Sequence, residues 1–398
     1  MSTQTRREFL QEFLALGTVA TMSPLLLGSS CSPTPAPYFP PSGLARAFNG
    51  PVLHLKAVSP HPNRIDLFFV ANSQLHHKWL EVTSPGVHRW GPDETSVGEP
   101  LGAFEFPAPV AADGKMMLFA VAGGAASFRV FDPATGWAGW VSLPGANMPK
   151  VLAYDHAAGT NQVVGLDNTR QIVAAQVSRV FNTPTAWQVI RSYPGGGQHE
   201  WLDAVALPNS GGAVLFGRMN TGALVYMFGN SGVWQEVASA PGIPSLAATA
   251  HYENNWLTPV FFTNVSDGAG NESFRFIWRD TSGDRQIDLG PHVNPPVVIS
   301  QSPSSDFYRQ ELDLFTAARS GADSGRTALQ WAHVTVGDLT EGRIRWETLA
   351  SNLSLGGEQI TPISWGNGRL DVFVTDVGGN VWHKWKDSRT TLGWQPAA

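Results

Sequence analysis

Three short runs near the end of the chain decide the fold: Ile360-Thr-Pro-Ile-Ser-Trp365, Arg369-Leu-Asp-Val-Phe-Val-Thr375 and Val381-Trp-His-Lys-Trp-Lys386. They are rich in β-branched and aromatic residues, which favour strands. The turn between the last two, Asp376-Val-Gly-Gly-Asn380, contains residues that tolerate a positive φ. With Gly393-Trp394-Gln395 as a short fourth strand, this segment predicts a small antiparallel sheet of four strands.

The same unit recurs along the chain. Its first copy contains Arg64-Ile-Asp-Leu-Phe-Phe-Val70 followed by Gln74-Leu-His-His-Lys-Trp-Leu80. The predicted second strands share a phenylalanine, at Phe69, Phe119, Phe216, Phe261, Phe315 and Phe373. The predicted fourth strands share a tryptophan, at Trp90, Trp140, Trp187, Trp234, Trp346 and Trp394. Residues 52–398 then divide into seven copies of about 50 residues, a length that is typical of propeller blades.

The second strands favour a propeller over a sandwich. Met116-Met-Leu-Phe-Ala-Val121 is a nearly continuous apolar run, which is typical of a strand buried on both faces. Propeller blades stack face to face, whereas each sheet of a sandwich buries only one face. We therefore predict an all-β, seven-bladed β-propeller of four-stranded antiparallel blades, with six or eight blades as alternatives. The predicted blades span about 52–101, 102–147, 148–197, 198–242, 243–294, 295–355 and 356–398.

The composition agrees with this fold class and excludes others. Of 398 residues, 15% are charged, which is too few for long helices with a solvated face. The hydrophobic fraction of 42% argues against disorder. The net charge of −6 gives no electrostatic reason to expect nucleic acid or an anionic membrane as a partner. The single cysteine excludes disulfide frameworks and multi-cysteine metal sites.

Residues 1–31 predict an export signal. The twin arginine Arg6-Arg7 precedes an apolar run from Phe13 to Leu27, which is too short to span a bilayer comfortably. This pattern resembles a bacterial twin-arginine (Tat) signal, and a plain secretion signal is the alternative. The resemblance implies export to the periplasm or the cell surface.

Cys31 follows the apolar run directly, in Leu27-Gly-Ser-Ser-Cys31. The segment resembles a bacterial lipoprotein cleavage site, at which the cysteine becomes the lipidated first residue. It departs from the family pattern because Gly28 stands where leucine is preferred, and an unmodified thiol is the alternative. Residues 32–51 contain six prolines and predict a polyproline-like tether. We expect membrane attachment through a lipid anchor only.

Two of the repeat copies carry a more specific motif. His76-His77-Lys78-Trp79 and Trp382-His383-Lys384-Trp385 resemble the repeats of bacterial PLL-like lectin propellers, whose form is Asp-Gly-x-Leu-Trp-His-Lys-Trp. This resemblance implies seven four-stranded blades that bind fucose or O-methylated sugars in clefts between neighbouring blades. The other copies lack the motif, as in Ser127-Phe-Arg-Val-Phe131. It therefore implies binding only in the clefts that flank the first and last blades.

The first and last blades are neighbours in a closed ring, so we expect both motifs to border the closing cleft. A sugar site needs an aromatic face and a few polar groups that fix the hydroxyls. The candidate aromatic residues are Trp79, Trp90, Trp382, Trp385 and Trp394. The candidate polar residues are Arg64, Asp66, His77, Lys78, Arg369, Asp371, His383 and Lys384. The alternative roles are packing between blades for the tryptophans and hydrogen bonding within a blade for His77 and His383.

Catalysis is not predicted. Sialidases and other glycosidases also use propellers, but residues 320–327 only approach the Asp-box pattern, with one extra residue and no adjacent tryptophan. No recurring pair of carboxylates suggests acid–base chemistry, and no spacing suggests a metal site. We predict a glycan-binding protein without enzyme activity, cofactor, metal or nucleic-acid partner. A protein-interaction scaffold with degenerate sugar sites and a propeller glycosidase or sialidase are the alternative functions.

Overall fold

The computed structural model describes most of the chain from Leu44 onward. The chain divides into two compact units, Met1–Phe39 and Pro40–Ala398, and every described residue belongs to the second. The predicted signal with Arg6, Arg7 and Cys31 lies outside the described residues, as does the predicted tether up to residue 43. The described ranges are 44–48, 51–61, 63–84, 87–91, 104–112, 114–157, 159–180, 182–190, 198–207, 212–228, 233–239, 246–253, 256–266, 272–280, 283–290, 297–302, 309–319, 327–353, 355, 360–364, 369–388 and 393–396.

Blades 1 to 4 each consist of successive antiparallel strands. Blade 1 contains β2 (Val52–His61), β3 (Arg64–Ala71), β4 (Gln74–Ser84) and β5 (Val87–Trp90). Blade 2 contains β6 (Phe104–Ala112), β7 (Lys115–Ala122), β8 (Ala125–Asp132), the short β9 (Gly136–Trp137) and β10 (Val141–Asn147). Blade 3 contains β11 (Val151–Ala157), β12 (Thr160–Leu166), β13 (Ile172–Ser178) and β14 (Gln188–Val189). Blade 4 contains β15 (His199–Leu207), β16 (Gly212–Met219), β17 (Ala223–Phe228) and β18 (Trp234–Ser239).

The remaining three blades complete the ring. Blade 5 contains β19 (Leu246–Glu253), β20 (Trp256–Ser266), β21 (Glu272–Asp280) and β22 (Gly283–Asp288). Blade 6 contains β23 (Val297–Ser302), β24 (Glu311–Arg319), β25 (Thr327–Thr335), the short helix α1 (Val336–Thr340) and β26 (Glu347–Leu353). Blade 7 contains β27 (Ile360–Ser364), β28 (Arg369–Thr375), β29 (Val381–Asp387), β30 (Gln395–Pro396) and β1 (Ala45–Phe48). The prediction of a seven-bladed, all-β propeller is confirmed.

The two ends of the described chain close the ring together. β1 pairs with the first half of β29, so that Ala45 lies opposite His383, while β30 pairs with Lys384 and Trp385. The outer strand of blade 7 therefore consists of two segments, β1 and β30. The predicted tether, residues 32–51, is too long at its C-terminal end, because residues 45–48 belong to the propeller. Residues 45–48 contain no proline, so their backbone can donate the hydrogen bonds that a strand requires.

The second strands are enclosed by the neighbouring blades. Every residue of β28 is buried, and β3 is buried from Ile65 to Ala71. Alternate residues of β3 pack in opposite directions. Phe69 belongs to an apolar cluster that blade 1 shares with blade 7, and Phe68 belongs to one that it shares with blade 2. This explains the continuous apolar runs, because both faces of the strand are covered.

Tryptophans near the fourth strands pack against the preceding blade. Trp90 of blade 1 lies 6.3 Å from Phe373 of blade 7, measured between ring centroids. Trp394 of blade 7 lies 5.9 Å from Phe315 of blade 6. Each ring meets its partner edge-on, an arrangement that aromatic pairs favour. No helix in the described ranges is long and apolar enough to cross a membrane.

Candidate functional site

The first blade contains a buried Arg-Asp-His network. Arg64 donates to the carboxylate of Asp66 from Nε (2.8 Å) and from Nη2 (2.7 Å). The Nε2 atom of His77 lies 2.6 Å from Oδ1 of the same carboxylate. The geometry follows from the strands, because residues two apart point to one face and His77 lies on the adjacent strand opposite Phe68.

Blade 7 repeats this network. Arg369 donates to Asp371 from Nε (2.8 Å) and from Nη2 (2.9 Å), and Nε2 of His383 lies 2.7 Å from Oδ1 of Asp371. Burial alone would raise the pKa of Asp371, but hydrogen bonds from His383 and Arg369 hold it below its ordinary value. Burial lowers the pKa of His383, against the opposing effect of Asp371. The chemistry fits an ionised carboxylate that accepts from a neutral imidazole.

Several of the candidate polar groups are thus enclosed. Asp66, His77, Asp371 and His383 are at most 1% exposed, and Arg369 is 2% exposed. Both histidines make the hydrogen bond within their blade that the sequence analysis gives as the alternative to sugar contact. The identity of these residues is visible in the sequence, but their burial depends on the neighbouring blade.

The two arginines differ in how open their surroundings are. The guanidinium of Arg64 lies 5.2 Å above the Trp79 ring and 5.6 Å from the Phe131 ring of blade 2. That of Arg369 lies 4.6 Å above Trp385. The Arg64 side chain is 15% exposed and Trp79 is half-buried, whereas Trp385 is 4% exposed. The more accessible copy of the motif is therefore in blade 1.

Both motifs border the closing cleft in part, through Lys78 in blade 1 and through His383 and Trp385 in blade 7, but their Arg-Asp-His networks do not share it. Phe68, on the same face of β3 as Arg64, packs against blade 2, whereas Phe373, on the same face of β28 as Arg369, packs against blade 1. Equivalent faces of successive blades point the same way around the ring. The two networks therefore belong to two consecutive clefts.

The cleft between blades 1 and 2, here called the 1–2 cleft, combines arginines with partly exposed aromatic rings. Arg129 lies 5.2 Å from the Trp137 ring and 5.5 Å from the Trp140 ring, and its Nε donates to the carbonyl of Ala138 (2.9 Å). Its half-buried aromatic residues are Trp79, Phe131, Trp137 and Trp140. The sequence missed the blade 2 residues because that blade lacks the His-Lys-Trp motif.

The closing cleft between blades 7 and 1 also contains packed aromatic rings. His88 lies 5.9 Å from Trp385, and Trp90 lies 5.9 Å from His383, both between ring centroids. The ammonium of Lys78 lies 5.4 Å above the Trp90 ring. The side chain of Arg369 is 2% exposed and Trp385 is 4% exposed, so a ligand has less access to this network than to the one in the 1–2 cleft.

Three further candidates face blade 6 and line the 6–7 cleft, between blades 6 and 7. Trp382 donates from Nε1 to Asp376 (2.9 Å), and Lys384 donates from Nζ to the carbonyl of Leu349 (2.6 Å). Burial lowers the pKa of Lys384. Trp394 packs on Trp331 with 5.3 Å between ring centroids. These three candidates therefore lie in a different cleft from either Arg-Asp-His network.

Blade 6 also holds a polar group that the sequence analysis did not single out. Trp331 donates from Nε1 to Oδ1 of Asp313 (2.7 Å), and Nδ1 of His333 lies 3.3 Å from the same atom. The hydrogen bond to Asp313 raises the pKa of His333. The signal was present, because Leu312-Asp-Leu-Phe315 repeats the pattern Leu370-Asp-Val-Phe373. The described part of the chain contains no group of three or more His, Cys, Asp or Glu residues placed to hold a metal ion.

Comparisons with known proteins support the fold. No protein-family model matches the chain, and no curated protein matches it. An ulvan lyase of a new polysaccharide lyase family, PL25, bound to -[GlcA(1-4)Rha3S]-, is 10% identical with a TM-score of 0.56, over 87% of this chain and 95% of its own.

Two further solved structures match less closely. The SapL1 lectin in complex with α-methyl fucoside is 12% identical with a TM-score of 0.44, over 75% of this chain and 95% of its own. AofleA from Arthrobotrys oligospora is 14% identical with a TM-score of 0.46, over 77% of this chain and 89% of its own. At 10% identity, the likeness to the ulvan lyase shows the fold alone.

Proposed function

We propose that this protein binds carbohydrate through the 1–2 cleft. The observation that carries the proposal is the placement of Arg64 between the rings of Trp79 and Phe131, with Arg129, Trp137 and Trp140 beside them. Half-buried aromatic rings offer a face for the apolar side of a sugar. The Arg64 side chain, which is 15% exposed, places a guanidinium group beside these rings, and guanidinium N–H groups can donate to hydroxyl oxygens.

The proposed ligands are fucosylated or O-methylated glycans. The resemblance of His76-His77-Lys78-Trp79 to the PLL-like lectin motif supports this class. A sugar methyl group adds apolar surface, and burial of one such group against aromatic rings contributes about 0.8 kcal/mol. The aromatic wall of the 1–2 cleft is suited to this contact.

We propose that binding occurs without chemistry. Glycoside hydrolysis commonly needs two carboxyl groups that flank the bond to be cleaved. Asp66, the carboxylate of the motif nearest to the cleft, is buried and uses its oxygens to accept from Arg64 and His77. It is therefore suited to holding Arg64 in place rather than to proton transfer.

The proposed location is outside the cytoplasm. Arg6-Arg7 supports export by the Tat pathway, and Cys31 supports lipid anchoring at the periplasmic or cell-surface side. Cys31→Ser should move the protein from the membrane fraction to the soluble fraction, and unchanged fractionation would refute the anchor.

Tryptophan fluorescence during titration with methyl α-fucoside tests the binding site. We expect saturable quenching or enhancement in the native protein, and at least about tenfold weaker binding in Trp79→Ala. Trp79→Phe, which keeps an aromatic face, should restore most of the affinity, and thermal melting shows whether each variant is folded. Equal affinity of the native protein and folded Trp79→Ala would overturn the proposed site.

A further inference from the structure

Blade 6 keeps the aspartate of the Arg-Asp-His network and replaces its arginine with an acid. Asp313 lies opposite His333 in the strand pairing, as Asp66 lies opposite Trp79 and Asp371 opposite Trp385. Two residues earlier on the same face, blades 1 and 7 have Arg64 and Arg369, whereas blade 6 has Glu311. The substitution exchanges a positive charge for a negative one beside a buried carboxylate.

One oxygen of this carboxylate consequently has no donor. In blades 1 and 7 the Oδ2 atom of the aspartate accepts from Nε of the arginine. In blade 6 Oδ1 of Asp313 accepts from Trp331 and His333, but Oδ2 is buried without a hydrogen-bond partner among the described residues. Asp313 is 1% exposed, and an unpartnered buried carboxylate oxygen is costly.

Two side chains near Asp313 are partly exposed. The Glu311 side chain is 50% exposed and that of His333 is 46% exposed. Oε2 of Glu311 lies 4.0 Å from Nε2 of His333. Because residues two apart in a strand are about 7 Å apart, the two carboxylates can converge on one small group.

A neighbouring cation shows that positive charge is accommodated in this cleft. The ammonium of Lys386, from blade 7, lies 4.3 Å from the centroid of the Trp331 ring. It makes no ion pair with Asp313 or Glu311 in the described structure. The place that Arg64 and Arg369 fill in their own blades is therefore not taken by Lys386.

We propose that the 6–7 cleft binds the protonated amino group of an amino sugar between Asp313 and Glu311. The ammonium would donate to Oδ2 of Asp313, as Nε of the arginine does to the aspartate in blades 1 and 7, and also to the Glu311 carboxylate. The saccharide part of this ligand rests on the proposed function, whereas the ammonium part rests on the carboxylates alone. The three N–H donors of an ammonium group match the carboxylate oxygens of Asp313 and Glu311, and charged hydrogen bonds are stronger than neutral ones.

Calorimetric titration of the full chain with glucosamine, N-acetylglucosamine and methylammonium tests the proposal. We expect glucosamine to bind at least about tenfold more tightly than N-acetylglucosamine, because acetylation removes the charge. Equal affinity for the two sugars would overturn the proposal. Methylammonium binding as tight as that of glucosamine would overturn the saccharide part.

Glu311→Arg is the decisive variant, because it supplies the guanidinium that blades 1 and 7 contain. We expect it to abolish glucosamine binding and to leave methyl α-fucoside binding at the 1–2 cleft unchanged. Glu311→Gln, which preserves shape, should weaken glucosamine binding by about tenfold, and Lys386→Ala should strengthen it by removing a like charge. Unchanged glucosamine affinity in both Glu311 variants would overturn the site. Loss of fucoside binding alone, in any variant, concerns the 1–2 cleft and leaves this site standing.

Discussion

Asp371 has no exposed surface, and its oxygens accept from Arg369 and His383 within the same blade. Arg369 is also buried, so the Asp371 carboxylate compensates its charge where water would do so at the surface. A buried charge pair of this kind adds little net stability over an apolar pair, but removal of one partner is expensive. The network therefore acts as an internal brace that positions the arginine over its tryptophan.

Asp371→Asn should lower the free energy of unfolding by about 3 kcal/mol or more, because it removes the carboxylate charge that the buried Arg369 guanidinium contacts. Asp66→Asn should cost less, since the side chain of Arg64 is 15% exposed and retains some hydration. Urea unfolding of both variants beside the native protein gives the comparison. An equal or larger loss for Asp66→Asn would contradict the assigned difference in burial.

His199 makes folding sensitive to acid. It is 3% exposed, neither ring nitrogen has a hydrogen-bond partner in the described residues, and it packs 4.9 Å from Trp234. Burial lowers its pKa to about 4. Below pH 6.5 His199 becomes protonated in the unfolded chain but stays neutral in the folded chain, so stability falls as the pH drops from about 6.5 to about 4.

His199→Leu should remove this contribution. Between pH 7 and pH 5 the native protein should lose about 2 kcal/mol more stability than the variant, as measured by urea unfolding at the two pH values. Identical pH dependence of the two proteins would show that His199 is not neutral and buried in the folded state.

Only part of the Arg-Asp-His network of blade 1 can be predicted from the sequence. Arg64, Asp66 and His77 can be identified from the motif, because strand alternation places them near one another. Whether Arg64 is exposed or buried cannot be predicted from the motif, because its exposure depends on Phe131 and Trp137 in the next blade. The exchange of Arg for Glu311 is visible in the sequence, but its consequence requires the hydrogen bonds of Asp313.

At the scale of elements, β1 differs most from its prediction. Residues 45–48 pair with β29, and the guanidinium of Arg46 lies 4.9 Å above the Trp382 ring. The strands near the repeat motifs could be predicted because their apolar patterns are local. The pairing of β1 with β29 could not, because it joins segments more than 300 residues apart, and chain composition suggested only a tether.

Truncation before Val52 should destabilise the propeller more than truncation before Pro40. The longer deletion removes β1 and exposes the edge of β29, which invites association between chains. We expect its melting temperature to be lower by about 5 °C, measured by circular dichroism together with light scattering. Matching melting temperatures and the same monomeric state for both truncations would show that β1 does not contribute to closure.

At the scale of the whole molecule, the direction of the ring decides which residues share a cleft. Blades 6, 7 and 1 each present the aspartate of the second strand toward the next blade, so Asp313, Asp371 and Asp66 face the 6–7 cleft, the closing cleft and the 1–2 cleft in turn. Of the two Arg-Asp-His networks, the one in the 1–2 cleft is the more accessible, because the Arg64 side chain is 15% exposed and that of Arg369 only 2%. Sequence periodicity predicts seven blades, but it does not tell which face of a blade meets which neighbour.

Binding of the labelled full chain to a glycan array that includes fucosylated, O-methylated and unmodified sugars tests whether the 1–2 cleft binds carbohydrate. We expect signals on fucosylated or O-methylated glycans that disappear with Trp79→Ala and persist with Glu311→Arg. Absence of any glycan signal from the folded native protein, or signals that folded Trp79→Ala leaves unchanged, would contradict carbohydrate binding through the 1–2 cleft.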